Sequence, residues 1–357
     1  MKKIGIVTII DGNYGNRLQN YALQEYLKEC GYDVVTLSNK EPSEKDILTL
    51  KIKSSIAGIN RWVVRPYWRW EIFNYKFIRF RYYSSKLELA NLVDEFDAFI
   101  VGSDQVWNPI LYYFDADFMF LKFAGEEKRI SYAASFGISS LPDDFESQFK
   151  EGLMGFSDIS VRESDGADIV YNLTGKRVPV VLDPTMLIDA KAWSKLGNKS
   201  ILKCKTNYLL KYFLGERNHK VELEIEQYAK SMGLKIIDIS REKMKDEWRV
   251  GPKEFLWLIE HAQVVCTDSF HGSVFSILFQ KQFWVFQRPY QKDTGSMNSR
   301  IYTLLNSFNL EERLVLAEGK LSDQEIMYDK VCKLLSQRRK EGERFINAAL
   351  NGGGQAK

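Results

Sequence analysis

Short apolar runs rich in β-branched residues alternate along the chain with segments of helical periodicity, and this alternation limits the fold more than any other feature. The run KIGIVTII is followed by a polar loop, DGNYGN, and then by a helical pattern in which apolar side chains recur from Leu18 to Leu27 before Gly31. Another apolar run, DVVTL, comes next. A strand–helix–strand order of this kind is typical of a parallel sheet covered by helices.

The alternation occurs in two series, which predicts an α/β fold with two Rossmann-like doubly wound domains facing a central cleft. The first series continues with strands in AFIVG, RISYAAS, DISVR and VPVVL, and the second has strands in NYLLKYFLG, LKIIDIS, QVVCT and QFWVFQ. A length of 357 residues fits two domains of ordinary size. We predict an N-terminal domain over residues 1–190, a C-terminal domain over residues 191–350 that ends in charged helices, and a disordered tail over residues 351–357.

The bulk composition excludes several classes of protein. A hydrophobic content of 45% indicates a globular protein with sizeable cores, and a net charge of +3 gives no reason to expect a nucleic acid partner. The four cysteines have neither metal-ligand nor disulfide spacing, which predicts reduced, buried thiols and a cytoplasmic location. The apolar run after the initial basic residues is too short for a signal peptide and is predicted to be a strand.

A basic aromatic segment interrupts the first series within a predicted helical insert at about residues 45–90. Residues 61–83 read RWVVRPYWRWEIFNYKFIRFRYY, and Arg61, Arg65 and Arg69 have the spacing of one helix face. One interpretation is a surface that contacts an anionic lipid or a diphosphate. The other is a peripheral pair of helices that packs on the first sheet with solvated arginines.

Polar clusters follow five of the predicted strands directly. They are DGNYGNRLQN, GSDQVWNP, RESDG, DPT and TDSFHGS. In an open parallel sheet, ligands bind at the carboxyl ends of the strands, so these clusters are expected to share one edge. Turns alone do not require so many polar residues, and we predict a ligand-binding cleft between the domains.

The cluster TDSFHGS contains His271, one of three histidines in the chain. Asp268 or Ser269 is suited to cap the following helix, and Gly272 would allow backbone amides to approach a ligand. Because a helix N-terminus attracts anions, we predict that His271 faces a bound anion. The alternative is a buried histidine bound to backbone atoms. His261 ends another helical pattern and is expected to interact with that helix dipole instead.

Two arginines lie where they would reach the same cleft. Arg162 directly follows the strand in SVRESDG, where a guanidinium binds a carboxylate or phosphate through two hydrogen bonds. The alternative is a salt bridge to Glu163 or Asp165. Arg300 precedes a helical segment in MNSRI, and its alternative role is that of a surface cap.

The segments GNYGNRLQNYAL, FIVGSDQVWNP, SVRESDG, LDPT and DSFHGSVF occur in this order, and together they resemble the polysaccharide pyruvyl transferase family over about residues 1–310. The resemblance implies a fold similar to GT-B glycosyltransferases. It also implies transfer of a pyruvyl group from phosphoenolpyruvate to a sugar, usually as a cyclic ketal. Phosphoenolpyruvate is then a co-substrate, and neither a cofactor nor a metal centre is expected.

The resemblance places the histidine of the family's SFHG motif at His271 and the donor-binding arginine at Arg162. Histidine titrates near neutral pH, so His271 is suited to protonate C3 of the donor as a general acid. We expect further donor contacts from Arg300 and from the helix start at Ser269, Phe270, Gly272 and Ser273. Neutral amides suit a ligand rich in hydroxyl groups. The expected acceptor contacts are Asn13, Asn16, Gln19, Asn20, Asp104, Trp107 and Asn108, although Trp107 suits the core equally well.

The expected acceptor is a hexose with free 4- and 6-hydroxyl groups in a bacterial capsule or exopolysaccharide, or in its lipid-diphosphate-linked precursor. Residues 61–83 would then contact the inner face of the membrane. Two other functions use the same fold: a glycosyltransferase that takes a nucleotide sugar, and a glycan-binding protein without activity.

Overall fold

The computed structural model contains two parallel sheets with helices between their strands, as the alternating sequence pattern predicts. Two Rossmann-like domains are thereby confirmed. The structure describes the following residues, and every structural statement below concerns them: 1–10, 13–59, 66–111, 114–197, 207–217, 219–240, 250–288, 298–316, 320–322 and 324–352.

The first sheet has the strand order β3-β2-β1-β4-β5-β6. Its order reverses between β1 and β4, so the loops after these two strands diverge and leave a crevice at the carboxyl edge. The predicted strand VPVVL is wrong, because Val180 forms only an isolated bridge with Val161. The strands are β1 (Lys3–Val7), β2 (Asp33–Ser38), β3 (Phe80–Tyr82), β4 (Ala98–Val101), β5 (Arg129–Ala134) and β6 (Asp158–Val161).

Helix α1 (Tyr14–Glu29) follows β1, and its N-terminal cap and its buried apolar face explain why this segment is helical. Asn13 caps it by accepting a hydrogen bond from the Gly15 backbone N–H. Leu18 and Ala22, four residues apart, bury the same face. The remaining helices of this part are α2 (Glu44–Ile59), α3 (Pro66–Phe77), α4 (Lys86–Leu92), α5 (Ala116–Met119), α6 (Glu146–Met154), α7 (Ser164–Thr174) and α8 (Ala190–Leu196).

The second sheet has the strand order β11-β10-β9-β7-β8, which is the other common doubly wound order. It reverses between β7 and β9, and this places a second crevice at the loop after β9. The strands are β7 (Tyr208–Tyr212), β8 (Lys235–Asp238), β9 (Val264–Thr267), β10 (Gln282–Phe286) and β11 (Leu314–Val315). The helices are α9 (His219–Ser231), α10 (Pro252–His261), α11 (Phe270–Leu278), α12 (Ser299–Ser307) and α13 (Tyr328–Leu350).

Aromatic packing joins the two domains at the start of α1. The Tyr14 ring stacks between Trp70 of α3 and Phe255 of α10, with centroid distances of 4.5 and 4.3 Å. Its hydroxyl donates a hydrogen bond to the Val250 carbonyl. Helix α1, which follows the first strand, is therefore fixed against the second domain.

The basic aromatic segment is part of this interface, and its prediction as a membrane contact is wrong for Arg69. That guanidinium lies 2.7 Å from a carboxylate oxygen of Glu254, and each side chain is 7% exposed. A guanidinium buried in an ion pair between domains does not reach a lipid headgroup. Arg61 and Arg65 lie outside the described residues.

Helix α13 spans both domains, whereas the sequence places it in the C-terminal domain alone. Val331 and Leu335, near its start, pack in the core that includes the second sheet. Ile346 and Leu350, near its end, complete the core over the first sheet. Helix α13, near the C-terminus, therefore packs against both domains, as the start of α1 also does. Residues 353–357 of the predicted tail lie outside the described residues.

The sequence predicts that the cysteines are buried and that no segment crosses a membrane. Cys266 is buried as predicted, but Cys30 and Cys332 are exposed, and Cys204 lies outside the described residues. None of the described helices is both long enough and apolar enough to cross a bilayer.

Candidate active site

Side chains from the carboxyl edges of both sheets meet between the domains. Asp104 follows β4, Arg162 follows β6, and His271 follows β9 at the start of α11. A crevice that reaches this cluster is lined by Arg162 and Asp183 from the first domain and by Phe270 from the second. The sequence motifs therefore converge, as the positions of the two switch points require.

Arg162 lies at the centre of the cluster and bridges two carboxylates. Its Nη1 donates to Asp183 at 2.8 Å and its Nη2 to Asp104 at 3.2 Å, and the side chain is 1% exposed. The guanidinium carbon lies 4.3 Å from the centroid of the Phe270 ring. The sequence offers Glu163 and Asp165 as alternative partners. The actual partners, Asp104 and Asp183, are distant from Arg162 in sequence.

Asp183 connects this arginine to the histidine. Its carboxylate accepts hydrogen bonds from Ser103 Oγ at 2.9 Å and from the backbone and hydroxyl of Thr185 at 3.0 and 2.6 Å. The Nε2 atom of His271 lies 3.5 Å from Asp183 Oδ2. Asp183 therefore places a negative charge next to the His271 ring.

The two carboxyl groups that Arg162 bridges, Asp104 and Asp183, are held in the ionised form. Burial by itself raises the pKa of Asp183, but the His271 ring and the Arg162 guanidinium outweigh burial and hold that pKa well below its usual range. Burial also opposes ionisation of Asp104. The charges of Arg162, His271 and Arg300 outweigh it and lower the Asp104 pKa.

Arg300, in α12, is a poorly neutralised cation. Its Nη1 lies 3.8 Å from the Asp104 oxygen that Arg162 already contacts. Burial, and then the neighbouring Arg162 charge, lower the pKa of Arg300 to about 10. Within the described part of the chain, the buried Nε atoms of Arg162 and Arg300 have no hydrogen-bond partner. An anion bound beside them would stabilise both guanidinium groups.

A third arginine, Arg288, was not predicted from the sequence. Its Nε donates to Asp268 Oδ2 at 3.0 Å, and the same carboxylate accepts the backbone N–H groups of Leu214 and Gly215 at 2.7 and 2.8 Å. Its charge contributes, after burial and Arg162, to the lowered pKa of Arg300. Arg288 directly follows the apolar run QFWVFQ, which is the signal that would have identified it.

The predicted residues of the α11 start have structural contacts. Ser269 caps the helix by accepting the Gly272 N–H, and the Ser273 hydroxyl donates back to the Ser269 carbonyl. A Cβ at Gly272 would lie 2.5 Å from Thr267 Oγ1, so this glycine allows the close packing of α11 on β9. Phe270 covers Arg162. Their predicted contacts with a donor remain predictions.

Among the predicted acceptor residues, Asn16 and Asp104 belong to the cluster, because the Asn16 amide donates to the Asp104 carboxylate. Asn13 serves as the cap of α1. The other three side chains are buried and bound within the first domain, and their acceptor contacts stay predictions. Gln19 bonds Thr8 and Ser103, Asn20 accepts from Thr36, and Asn108 bonds Gln105 and Ile110.

Trp107 lies in the core of the first domain, which is the alternative that the sequence leaves open. It is fully buried, and its ring packs against Phe120, Phe136 and Phe156. Its indole N–H donates to the Met119 carbonyl. These contacts account for the position of the indole within the core of the first domain.

Sequence reasoning gave no role to the two groups that organise the site, Asp183 and Ser103. Asp183 comes from LDPT, a motif recognised only as a polar cluster after an apolar run. Ser103 donates to Asp183 and accepts from Arg162 Nη1 at 3.3 Å. No cluster of three or more metal-ligating side chains occurs among the described residues.

The cluster has the composition of a proton-transfer and anion-binding site. A histidine lies beside a buried carboxylate, and three guanidinium groups converge around Asp104, Asp183 and Asp268. The histidine is able to move a proton, and the arginines are able to stabilise an anion or a charge that develops during reaction.

Comparisons with known proteins concern the family of the chain and its fold. A family model described as "Polysaccharide pyruvyl transferase" matches residues 13–288. No curated protein matches the chain in sequence. The solved structure of S. aureus MnaA with UDP has 11% identity and a TM-score of 0.51, covering 97% of this chain and 90% of that chain.

Two other solved structures are similar over their whole length. The Methanocaldococcus jannaschii UDP-GlcNAc 2-epimerase in complex with UDP-GlcNAc and UDP has 12% identity and a TM-score of 0.49, covering 97% of this chain and 98% of that chain. Acinetobacter baumannii MurG has 10% identity and a TM-score of 0.41, covering 98% and 95%. At such identities the likeness concerns the fold alone.

Proposed function

Because the chain belongs to the polysaccharide pyruvyl transferase family, we propose that it moves the pyruvyl group of phosphoenolpyruvate onto two hydroxyl groups of a hexose. The product is a cyclic ketal, with the 4- and 6-hydroxyl groups as the expected pair. The acceptor is a bacterial surface polysaccharide or its lipid-linked precursor. The observation that carries this proposal is the His271–Asp183 pair beside arginines with unpartnered Nε atoms.

The donor has two anionic groups, and the site offers matching cations. We assign Arg300, Arg288 and the Nε of Arg162 to the carboxylate and phosphate of phosphoenolpyruvate. Both terminal nitrogens of Arg162 already bind carboxylates, so its larger role is to position Asp183. Because charge is buried here, each added hydrogen bond to an anion is stronger than in water.

Transfer needs one acid that also acts as a base. Before transfer, Asp183 stabilises the imidazolium form of His271. His271 then gives its proton to C3, and C2 becomes electron-deficient. The first sugar hydroxyl adds to C2 and returns its proton to the neutral ring. Phosphate then leaves with the electron pair of its C2–O bond. The second hydroxyl closes the ketal, and its proton goes to the departing phosphate.

The test is phosphate release from phosphoenolpyruvate with a panel of galactosides and N-acetylhexosaminides. We expect release only when a sugar is present, together with a ketal methyl signal in the NMR spectrum of the product. Nucleotide release from a nucleotide sugar, without turnover of phosphoenolpyruvate, would establish glycosyl transfer instead. Ligand-induced thermal stabilisation without any product would indicate a binding protein.

A glycine beside the histidine provides a test of its position. A Cβ at Gly15 would lie 2.0 Å from His271 Nδ1, so alanine at this position must displace the ring. We expect Gly15→Ala to lower the free energy of unfolding by about 1–3 kcal/mol. Turnover is expected to fall on the order of 10²-fold, as for a misplaced catalytic group. Urea unfolding and the phosphate assay measure the two effects.

Gly197→Ala is the matched control. The nearest atoms to its added Cβ lie at 3.5 Å, which is ordinary contact, and its φ of −57° suits alanine. We expect this variant to retain turnover. Wild-type turnover in Gly15→Ala would contradict the placement of His271 against α1.

A further inference from the structure

A cavity at the carboxyl ends of β1 and β2 lies beside the catalytic cluster and has no role in the chemistry described above. Its volume of about 260 Å³ is close to the lower end of the range of ligand-binding pockets. The residues that matter to its chemistry are Thr8, Ser38, Asn39, Tyr83, Asp115 and Phe118.

Hydrogen bonds connect this cavity to the catalytic cluster. Thr8, which lines the cavity, donates to the Ser103 carbonyl at 3.1 Å. The Ser103 hydroxyl donates to Asp183, and Asp183 faces His271. A ligand against Thr8 is therefore separated from the His271–Asp183 pair by two residues, Thr8 and Ser103, so it lies near the reacting centre and not on it.

The lining matches the two kinds of surface that a pyranose ring presents. The rings of Tyr83 and Phe118 lie with centroids 5.9 Å apart and give an apolar wall. Ser38 and the exposed Asn39 supply neutral polar groups that donate and accept hydrogen bonds.

The Tyr83 hydroxyl adds a donor to this wall. Burial, and then the Asp115 charge, raise the pKa of Tyr83 to about 12, so the phenol stays protonated at neutral pH. The charges that line the cavity, Lys40 and Asp115, have opposite signs. A neutral ligand rich in hydroxyl groups therefore fits this lining better than an ion does.

We infer that this cavity holds the sugar unit adjacent to the one that receives the pyruvyl group. The inference rests on the proposed function and deepens it, because it makes the acceptor an oligosaccharide of at least two units. A monosaccharide would occupy only the reacting position and would lose the contacts with Asn39 and Tyr83.

The experiment compares paired probes: methyl β-galactoside with N-acetyllactosamine, and methyl N-acetylglucosaminide with diacetylchitobiose. For the wild type we expect kcat/KM to be at least about tenfold higher for the disaccharide of the active pair, from two or more added hydrogen bonds. Asn39→Ala and Tyr83→Phe each remove one polar group and leave the fold intact. Each is expected to lower the disaccharide preference about fivefold. KM for phosphoenolpyruvate and kcat/KM for the monosaccharide should not change.

Asn172→Ala, an exposed asparagine on α7, is the control and should keep the full preference. Equal use of mono- and disaccharides by the wild type, or an unchanged preference in both cavity variants, would overturn the inference and leave the proposed function standing. An equal loss with both sugar lengths would also overturn it. If the wild type released no phosphate with any probe, the proposed function itself would be contradicted, and the inference with it.

Discussion

Replacement of His271 by alanine is expected to lower the turnover of phosphoenolpyruvate by about 10²–10⁴-fold, the usual contribution of a general acid. The ring is the only histidine of the described cluster, and its Nε2 lies 3.5 Å from a buried carboxylate. The variant keeps the three arginines, so donor binding should persist while protonation of C3 is lost. Phosphate release measures turnover, and calorimetry with phosphoenolpyruvate measures binding.

His261→Ala is the matched control for this prediction. His261 ends α10, as expected from the sequence, with its ring stacked on Trp257 and its Nδ1 2.9 Å from the Trp257 carbonyl. We expect wild-type turnover from this variant. If His271→Ala released phosphate at the wild-type rate, another group would have to supply the proton, and the mechanism above would be wrong.

Replacement of Asp183 by alanine is expected to lower the free energy of unfolding by about 3–5 kcal/mol, the usual cost of removing one partner of a buried ion pair. Asp183 is fully buried, and Arg162, Ser103 and Thr185 would all lose their shared acceptor. Turnover should also fall, because the imidazolium of His271 loses its counter-charge. A loss below about 0.5 kcal/mol, typical of surface changes, would contradict the assigned network.

The conservative variant Asp183→Asn separates charge from shape through its pH dependence. The pKa of Asp183 is lowered in the folded protein, so its carboxylate contributes stability that is fully present above the unfolded-state value of about 3.9 and is lost as the pH falls further. The difference in unfolding free energy between wild type and Asp183→Asn should therefore shrink below about pH 4. Urea unfolding at several pH values checks this. The exposed Asp143, changed to asparagine, serves as the control.

The architecture could be predicted from the sequence because it depends on local patterns. Strand and helix periodicities alternate visibly, and polar residues follow the strands whose carboxyl ends form the cleft. The errors in the secondary-structure prediction also arise from local patterns. VPVVL is apolar but pairs at only one residue, and β3 is short and mixes arginine with aromatic residues, so neither has the pattern of its actual state.

The site was predicted only in part because its contacts are not local. Arg162 was recognised from its position after a strand, but its partners are 58 and 21 residues away in sequence. Amides such as Gln19 look available in a polar cluster, yet the fold uses Gln19 to bind Thr8 and Ser103, which follow β1 and β4. A sequence pattern identifies which edge of a sheet carries polar residues, but not which of them face inward.

The return of α13 to the first sheet has a consequence for biosynthesis. Ile4 and Ile6 of the first strand share a core with Ile346 and Leu350, and Lys2 donates a hydrogen bond to the Leu350 carbonyl. When the first strands leave the ribosome, more than three hundred residues of translation separate them from the helix that covers them. Nascent domains ordinarily fold in the order of their synthesis. Here the core of the first domain includes the helix that is synthesised last, so we expect this core to be completed only after the second domain has been made.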